Sequence, residues 1–161
     1  MPDALISLGS NIGNPHATLQ QALDHIADDP AITIKKRSSF YRTTPVGPVA
    51  QDDFINAAVL VSTSFSPDEL MQHLLDIETK MGRDRTHAIR FGPRVIDLDL
   101  ILYDDVKIKT DLVELPHPRF RERAFVLVPL AELSPDWRVD DASLSELAAR
   151  IGPAGVKDRK S

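Results

Sequence analysis

Val95-Ile96-Asp97-Leu98-Asp99-Leu100-Ile101-Leu102-Tyr103 decides the fold of this 161-residue chain. Side chains alternate across a strand, so Ile96, Leu98, Leu100 and Leu102 share one face. That face is wholly aliphatic and belongs in a core. Asp97 and Asp99 share the other. Aspartate is poorly suited to strands, and two carboxylates side by side repel unless a cation lies between them or one binds a proton. Magnesium is the natural cation, because it takes oxygen ligands and is completed by substrate phosphates and water. The plainer alternative is a pair of solvent-facing aspartates on a half-exposed strand.

Upstream, Arg90-Phe91-Gly92-Pro93-Arg94 reads as a turn that holds Arg94 near the two aspartates. Such a cation can neutralise phosphate oxygens during phosphoryl transfer. An ion pair without a ligand is the alternative. Farther upstream, Ser66-Pro67-Asp68-Glu69 predicts a helix with a capping box and an early proline. Leu70, Leu74, Ile77 and Met81 give it an apolar stripe, and Gly82 ends it. Phe54 to Thr63 alternates as a strand. Ile55, Ala57, Val59 and Val61 read as core, while Phe54, Asn56, Ala58 and Leu60 share the opposite face. Phe54 beside Asn56 suits a flat heterocycle, stacked on the ring and held at its polar edge by the carboxamide. An ordinary core phenylalanine next to a strand-end asparagine would read the same.

Toward the N-terminus, Ala4 to Leu8 predicts a strand, Gly9-Ser10-Asn11 a turn, and Asn14-Pro15 the start of a helix with Leu19, Ala22, Leu23 and Ile26 inward. Ala31 to Ser38 predicts a second strand and Thr43 to Pro48 a loop. Beyond the aspartates come two weaker strands, Val106 to Lys109 and Leu112 to Leu115. Ala124 to Leu133 is partly helical, Ser143 to Arg150 is a last short helix, and the tail after about Gly152 is expected to fray. The order strand, helix, strand, strand, helix, strand predicts one domain over residues 1–161. It is an α+β, ferredoxin-like sandwich with a mainly antiparallel sheet and C-terminal additions.

Composition narrows the function classes. A net charge of −5 argues against general nucleic-acid binding. Arginine is nevertheless concentrated: Arg83, Arg85, Arg90, Arg94, Arg119, Arg121 and Arg123 fall in one stretch, as if aimed at a small anion. A solvated, loop-rich surface would also account for it. There are no cysteines, which excludes a thiolate nucleophile or metal site and fits a reducing cytoplasm. Met1 to Leu8 lacks the charged start of a signal peptide, and no apolar run approaches a membrane span.

Several segments in this order carry a resemblance. They are Ser39-Phe40-Tyr41-Arg42-Thr43, Gly47-Pro48, Asn56-Ala57-Ala58, Glu78, Gly82-Arg83-Asp84-Arg85, Gly92-Pro93-Arg94 with Asp97-Leu98-Asp99, and Pro116-His117-Pro118-Arg119 with Arg123 and Phe125. From about Leu5 to Leu133 the chain resembles the 6-hydroxymethyl-7,8-dihydropterin pyrophosphokinase family. The resemblance implies transfer of the terminal diphosphate of ATP to the pterin hydroxymethyl group, releasing AMP, in folate synthesis. It implies two magnesium ions on Asp97 and Asp99. Catalysis would involve these with Arg83, Arg85 and Arg94. ATP would meet Glu78, Arg85, Arg94, Leu100, His117 and Arg123. The pterin would meet Thr43, Thr44, Val46, Phe54, Asn56, Phe91 and Phe125, with Phe54 and Phe125 sandwiching the ring.

Phe91 stands where several members have tryptophan, Phe54 where tyrosine is frequent, and Leu75 where some have glutamine. The polar stretch Asp84 to Phe91 reads as a lid over ATP. The implied protein is a cytoplasmic monomer with no nucleic-acid or membrane partner. Two other readings use the same residues: another magnesium-dependent nucleotidyl- or sugar transferase, and a non-enzymatic ferredoxin-like binding module.

Overall fold

The computed structural model describes residues 1–45, 47–82 and 95–160, with backbone alone for 158–160. Its elements are β1 (Asp3–Ser10), α1 (Pro15–Ala27), β2 (Ile32–Arg37), β3 (Phe40–Thr43), β4 (Phe54–Thr63), α2 (Pro67–Lys80) and β5 (Asp97–Tyr103). They continue with β6 (Ile108–Lys109), β7 (Glu114–Leu115), a 3-10 turn (Phe120–Glu122), α3 (Ala124–Leu133), β8 (Arg138–Val139), β9 (Ala142–Ser143), α4 (Leu144–Ile151) and β10 (Val156–Lys160).

The two long helices start where the sequence marks them. Asn14 Oδ1 accepts from the Ala17 N–H at 3.2 Å, with Pro15 next in the chain. Ser66 and Glu69 exchange both bonds of a capping box, and this holds the Glu69 carboxyl below its usual range. Gly82 has φ +94°, a conformation costly for any residue with a Cβ, so α2 ends there.

Every strand pair in the main sheet is antiparallel, and the order runs β10, β3, β4, β1, β5, with β2 also on β4. The ten residues of β4 hold β2 along Val59–Thr63 and β3 along Phe54–Asn56. Read as one broken strand, β2 and β3 complete the ferredoxin-like order. Ser38 bridges the break. Its N–H donates to Ala58 O at 2.9 Å, and its Oγ accepts from the Ala58 N–H at 2.8 Å. Ser38→Ala leaves that buried N–H without its acceptor, an expected loss of about 1–3 kcal/mol. Urea unfolding should show a lower midpoint with an unchanged slope. An unchanged midpoint would mean that water replaces the hydroxyl.

The sheet is covered on both faces. Ile6, Leu8, Val59, Leu98 and Leu100 pack with Leu19, Leu23, Leu70 and Leu74 of α1 and α2. Leu5, Ala58, Leu60 and Ile101 pack with Phe120 and with Leu127 and Leu130 of α3, and α4 adds Leu144 and Leu147. The C-terminal additions therefore cover part of the face that a bare ferredoxin-like sheet would leave to solvent. Pro129 lies inside α3, with no N–H for the carbonyl one turn back.

Four expectations change. Leu102 does not share a face with Ile96, Leu98 and Leu100: a register shift between Leu5 and Ile6 carries it to the α3 side with Leu5 and Ile101. Gly9 and Ser10 are not a turn but the end of β1, paired with Asn56 and Ile55. Phe40–Thr43 forms a strand of its own, so Thr43 belongs to the sheet and the loop begins after it. The tail does not fray after Gly152, because Val156–Lys160 joins the sheet as β10 on β3. Lys157 Nζ donates to Asp53 Oδ2 at 2.8 Å, which ties the tail to the approach of β4.

Candidate active site

The polar residues come together through strand register. On β1, Gly9 is opposite Asn56 on one side and Asp97 on the other, and Ser7 is opposite Ala58 and Asp99. Tyr41 faces Asn56 across β3, and Thr43 faces Phe54. Directly paired residues share a face, so Thr43, Phe54, Asn56, Asp97 and Asp99 line one side of the sheet. It is the side that α3 packs on farther along, over Leu5, Ala58, Leu60 and Ile101.

Asp97 and Asp99 are half-buried and alternate with Leu98 and Leu100, which are 0% and 2% exposed. The shared face predicted for them is observed. Their strand is held at its start from two directions. Glu78, on α2 and 1% exposed, accepts from the Leu98 N–H through Oε2 at 2.7 Å. Ser10 Oγ donates to Val95 O at 2.5 Å. No group of three or more metal-binding side chains forms among the described residues. Two neighbouring oxygen donors fit a magnesium ion that takes its remaining ligands from phosphates and water.

Asn56 is 4% exposed, and its carboxamide is held in place. Thr43 Oγ1 donates to Asn56 Oδ1, and Asn56 Nδ2 donates to Leu8 O at 3.4 Å. A carboxamide has two N–H donors and two acceptor positions, so one of each remains to meet a polar edge. Phe54 beside it is half-buried. Thr44 is exposed, with its N–H donating to Gly155 O at 2.7 Å.

The third part of the site follows β7. The His117 N–H donates to Ile101 O on β5 at 2.9 Å, and His117 Nδ1 accepts from the Arg119 N–H at 3.2 Å. In the neutral ring this leaves Nε2 as the donor nitrogen. Burial, then the Arg123 cation, hold His117 below the usual histidine range. Asp97 and Glu114 pull the other way, and Arg119 adds a smaller push downward. Arg123 also stands over the half-buried Phe125 ring, 5.7 Å from its centroid. His117 thus lies within electrostatic reach of both Asp97 and Arg123, and Arg123 in turn of Phe125.

Some sequence expectations land elsewhere. Leu100 points into the core under α1 and α2, so its side chain offers no surface to a nucleotide; only its main chain can. Leu75 also packs against that core. Arg121 pairs with Asp140 at 3.1 Å and lies over Phe120, a structural use of one arginine in the cluster. Val46, Arg83, Arg85, Phe91 and Arg94, and with them the lid expected at 84–91, lie outside the described residues.

Two contributions were not read from the sequence. Gly9 separates Asn56 from Asp97. Glu132 on α3 accepts from the Ser39 N–H at 3.0 Å and from Tyr41 Oη at 2.5 Å, fastening α3 to the strand that carries Thr43. Both depend on contacts between distant segments.

A ferredoxin-like sheet with paired carboxylates, a held carboxamide and a histidine–arginine corner has the features of a phosphoryl transferase. The chain belongs to the 7,8-dihydro-6-hydroxymethylpterin-pyrophosphokinase (HPPK) family, whose model matches residues 5–135. It is 43% identical over 157 residues to a 2-amino-4-hydroxy-6-hydroxymethyldihydropteridine pyrophosphokinase of Methylorubrum extorquens, covering 98% of each chain. It is 45% identical over 130 residues to the protein of that name from Bacillus subtilis, covering 81% of this chain and 77% of the relative. Among solved structures, Plasmodium falciparum HPPK-DHPS matches with a TM-score of 0.70 at 14% identity, over 92% of this chain and 43% of that one. That likeness supports the fold. Family members are enzymes that transfer pyrophosphate from ATP, and this chain is a pyrophosphokinase of folate biosynthesis.

Proposed function

We propose that the polar sheet face binds both substrates, with 6-hydroxymethyl-7,8-dihydropterin on the β3–β4 side and ATP on the β5 side. One observation carries this reading: Gly9 pairs with Asn56 and with Asp97. Their backbones are two strand spacings apart, roughly 10 Å. That is about the reach of a bicyclic ring with its hydroxymethyl arm, so a pterin edge at Asn56 would point its hydroxyl toward the aspartates.

In this reading Asn56, with Thr43 behind it, meets the polar edge of the pterin. Phe54 and Phe125 stack on its two sides, and Thr44, Val46 and Phe91 complete the pocket. Asp97 and Asp99 would hold two magnesium ions, and these would supply positive charge to offset that of the ATP phosphates. Glu78, buried on α2 and bonded to the Leu98 N–H, would serve the adenosine side by holding β5 in place, and Leu100 contributes through its main chain. His117, held below the usual histidine range by burial and Arg123, donates from Nε2 to a phosphate oxygen. Arg83, Arg85, Arg94 and Arg123 meet phosphate charge. The pterin hydroxyl gives its proton to water and bonds to the β-phosphorus as the bond from that phosphorus to the oxygen bridging to the α-phosphate breaks. AMP leaves with that oxygen. The protein forms no covalent bond, and its part is positioning and electrostatics.

Among the described residues no helix is long and apolar enough to cross a membrane. We place the enzyme in the cytoplasm as a monomer. A nucleotidyl- or sugar transferase using the same aspartates is not favoured by the family assignment. Incubation with ATP, magnesium and the hydroxymethyl pterin is expected to yield AMP and a pterin diphosphate. Release of free diphosphate, or ADP as the nucleotide product, would overturn the reading.

A further inference from the structure

We propose that Gly9 is a positioning residue for the pterin, and that the space left by its missing side chain seats the Asn56 carboxamide. An ideal Cβ built on Gly9 would lie 2.8 Å from Asn56 Nδ2, closer than real Cβ atoms come. Its next neighbour would be the Phe54 ring, whose Cδ1 would be 3.8 Å away, an ordinary contact. The backbone at Gly9 is regular strand, paired on both sides, so nothing in its main chain demands glycine. The demand comes from the group above it.

That group cannot step aside without loss. The Asn56 amide is buried, with Oδ1 taken by Thr43 and Nδ2 turned to Leu8 O. Its nitrogen is the far end of a short side chain, so an alanine at position 9 is accommodated by turning the carboxamide rather than by parting β1 from β4. Turning it breaks the Thr43 bond and moves the remaining donor and acceptor. The inward residues of β1 shrink toward the site, from Leu5 through Ser7 to Gly9. The smallest of them stands between Asn56 and Asp97. The effect of a methyl group there should fall on one substrate.

The inference rests on the pterin assignment made for Asn56, so its test reads the two separately. Gly9→Ala is expected to keep a cooperative thermal transition and to shift the Asn56 side-chain amide resonances in a nitrogen-15 correlation spectrum. It is expected to weaken hydroxymethyl pterin binding by roughly tenfold or more, measured with magnesium and a non-hydrolysable ATP analogue, with the analogue's own affinity changed by less than about twofold. In an Asn56→Ala background the same change should add less than about twofold, because the clashing atom is gone. Loss of the folded state in Gly9→Ala, unmoved amide resonances, or an equal loss in both backgrounds would each overturn the proposal. Shifted resonances with pterin affinity unchanged in both Gly9→Ala and Asn56→Ala would leave the seat intact and refute the pterin assignment.

Discussion

Asp97→Ala and Asp99→Ala are each expected to lower turnover by roughly 10²–10³-fold at saturating magnesium, with stability changed by less than about 1 kcal/mol. The two carboxylates are half-buried on one face, one residue apart in the alternation of β5. Their strand is pinned by the Glu78–Leu98 and Ser10–Val95 bonds, so removing one carboxylate leaves its neighbour in place. Each side chain is only half-buried, and truncation at such a position moves stability little. What goes is the charge stabilisation that a phosphoryl transfer draws from its metal and cannot recover from more magnesium in solution. Steady-state kinetics across a magnesium titration, beside thermal unfolding of the same samples, checks both halves. Near-normal turnover in both variants would remove the aspartates from the mechanism.

Asn56→Ala is expected to weaken the pterin roughly ten- to a hundredfold while ATP affinity stays within about twofold. The residue lies on β4, two strands from the aspartates, so the two ligands should report separately. Truncation removes the remaining donor and acceptor of the carboxamide and leaves the Oγ1 of Thr43, a buried residue, without that partner. Some stability should be lost as well, about 1–3 kcal/mol. Calorimetric titration with pterin, in the presence of a non-hydrolysable ATP analogue, measures the first effect. Titration with the analogue alone measures the second. Unchanged pterin affinity would move the pocket elsewhere.

The parts of the fold that were legible are those whose signal is local. Alternation along β5 placed Asp97 and Asp99 opposite Leu98 and Leu100, and along β4 it separated Ile55, Ala57, Val59 and Val61 from Ala58 and Leu60. Caps at Asn14 and Ser66 and the stop at Gly82 bounded the two long helices. What escaped depends on pairing between distant segments. Val156–Lys160 is polar apart from its first residue and carries no alternation, as suits a strand at the edge of the sheet. It becomes a strand because β3 is there to receive it. Phe40–Thr43 is short and follows the Ser38 break, so its pattern alone is too brief to read.

The site divides in the same way. Asp97 with Asp99, and Phe54 with Asn56, were visible because each pair sits two residues apart on one strand. That Asn56 and Asp97 flank the same residue, and that this residue is Gly9, is a fact of register across three strands. Leu100 shows the reverse. Alternation assigned it to the core and resemblance assigned it to ATP, and its side chain lies in the core.

Both substrates are proposed to lie on one face of one sheet, pterin over β4 and phosphates over β5. A crystal structure with magnesium, a non-hydrolysable ATP analogue and the hydroxymethyl pterin tests it most directly. Metal density is expected at Asp97 and Asp99, the pterin edge on the Asn56 carboxamide, and the hydroxymethyl group crossing above Gly9 toward the β-phosphorus. Metals bound away from both aspartates, or a pterin ring on the far side of the sheet from Asn56, would contradict it.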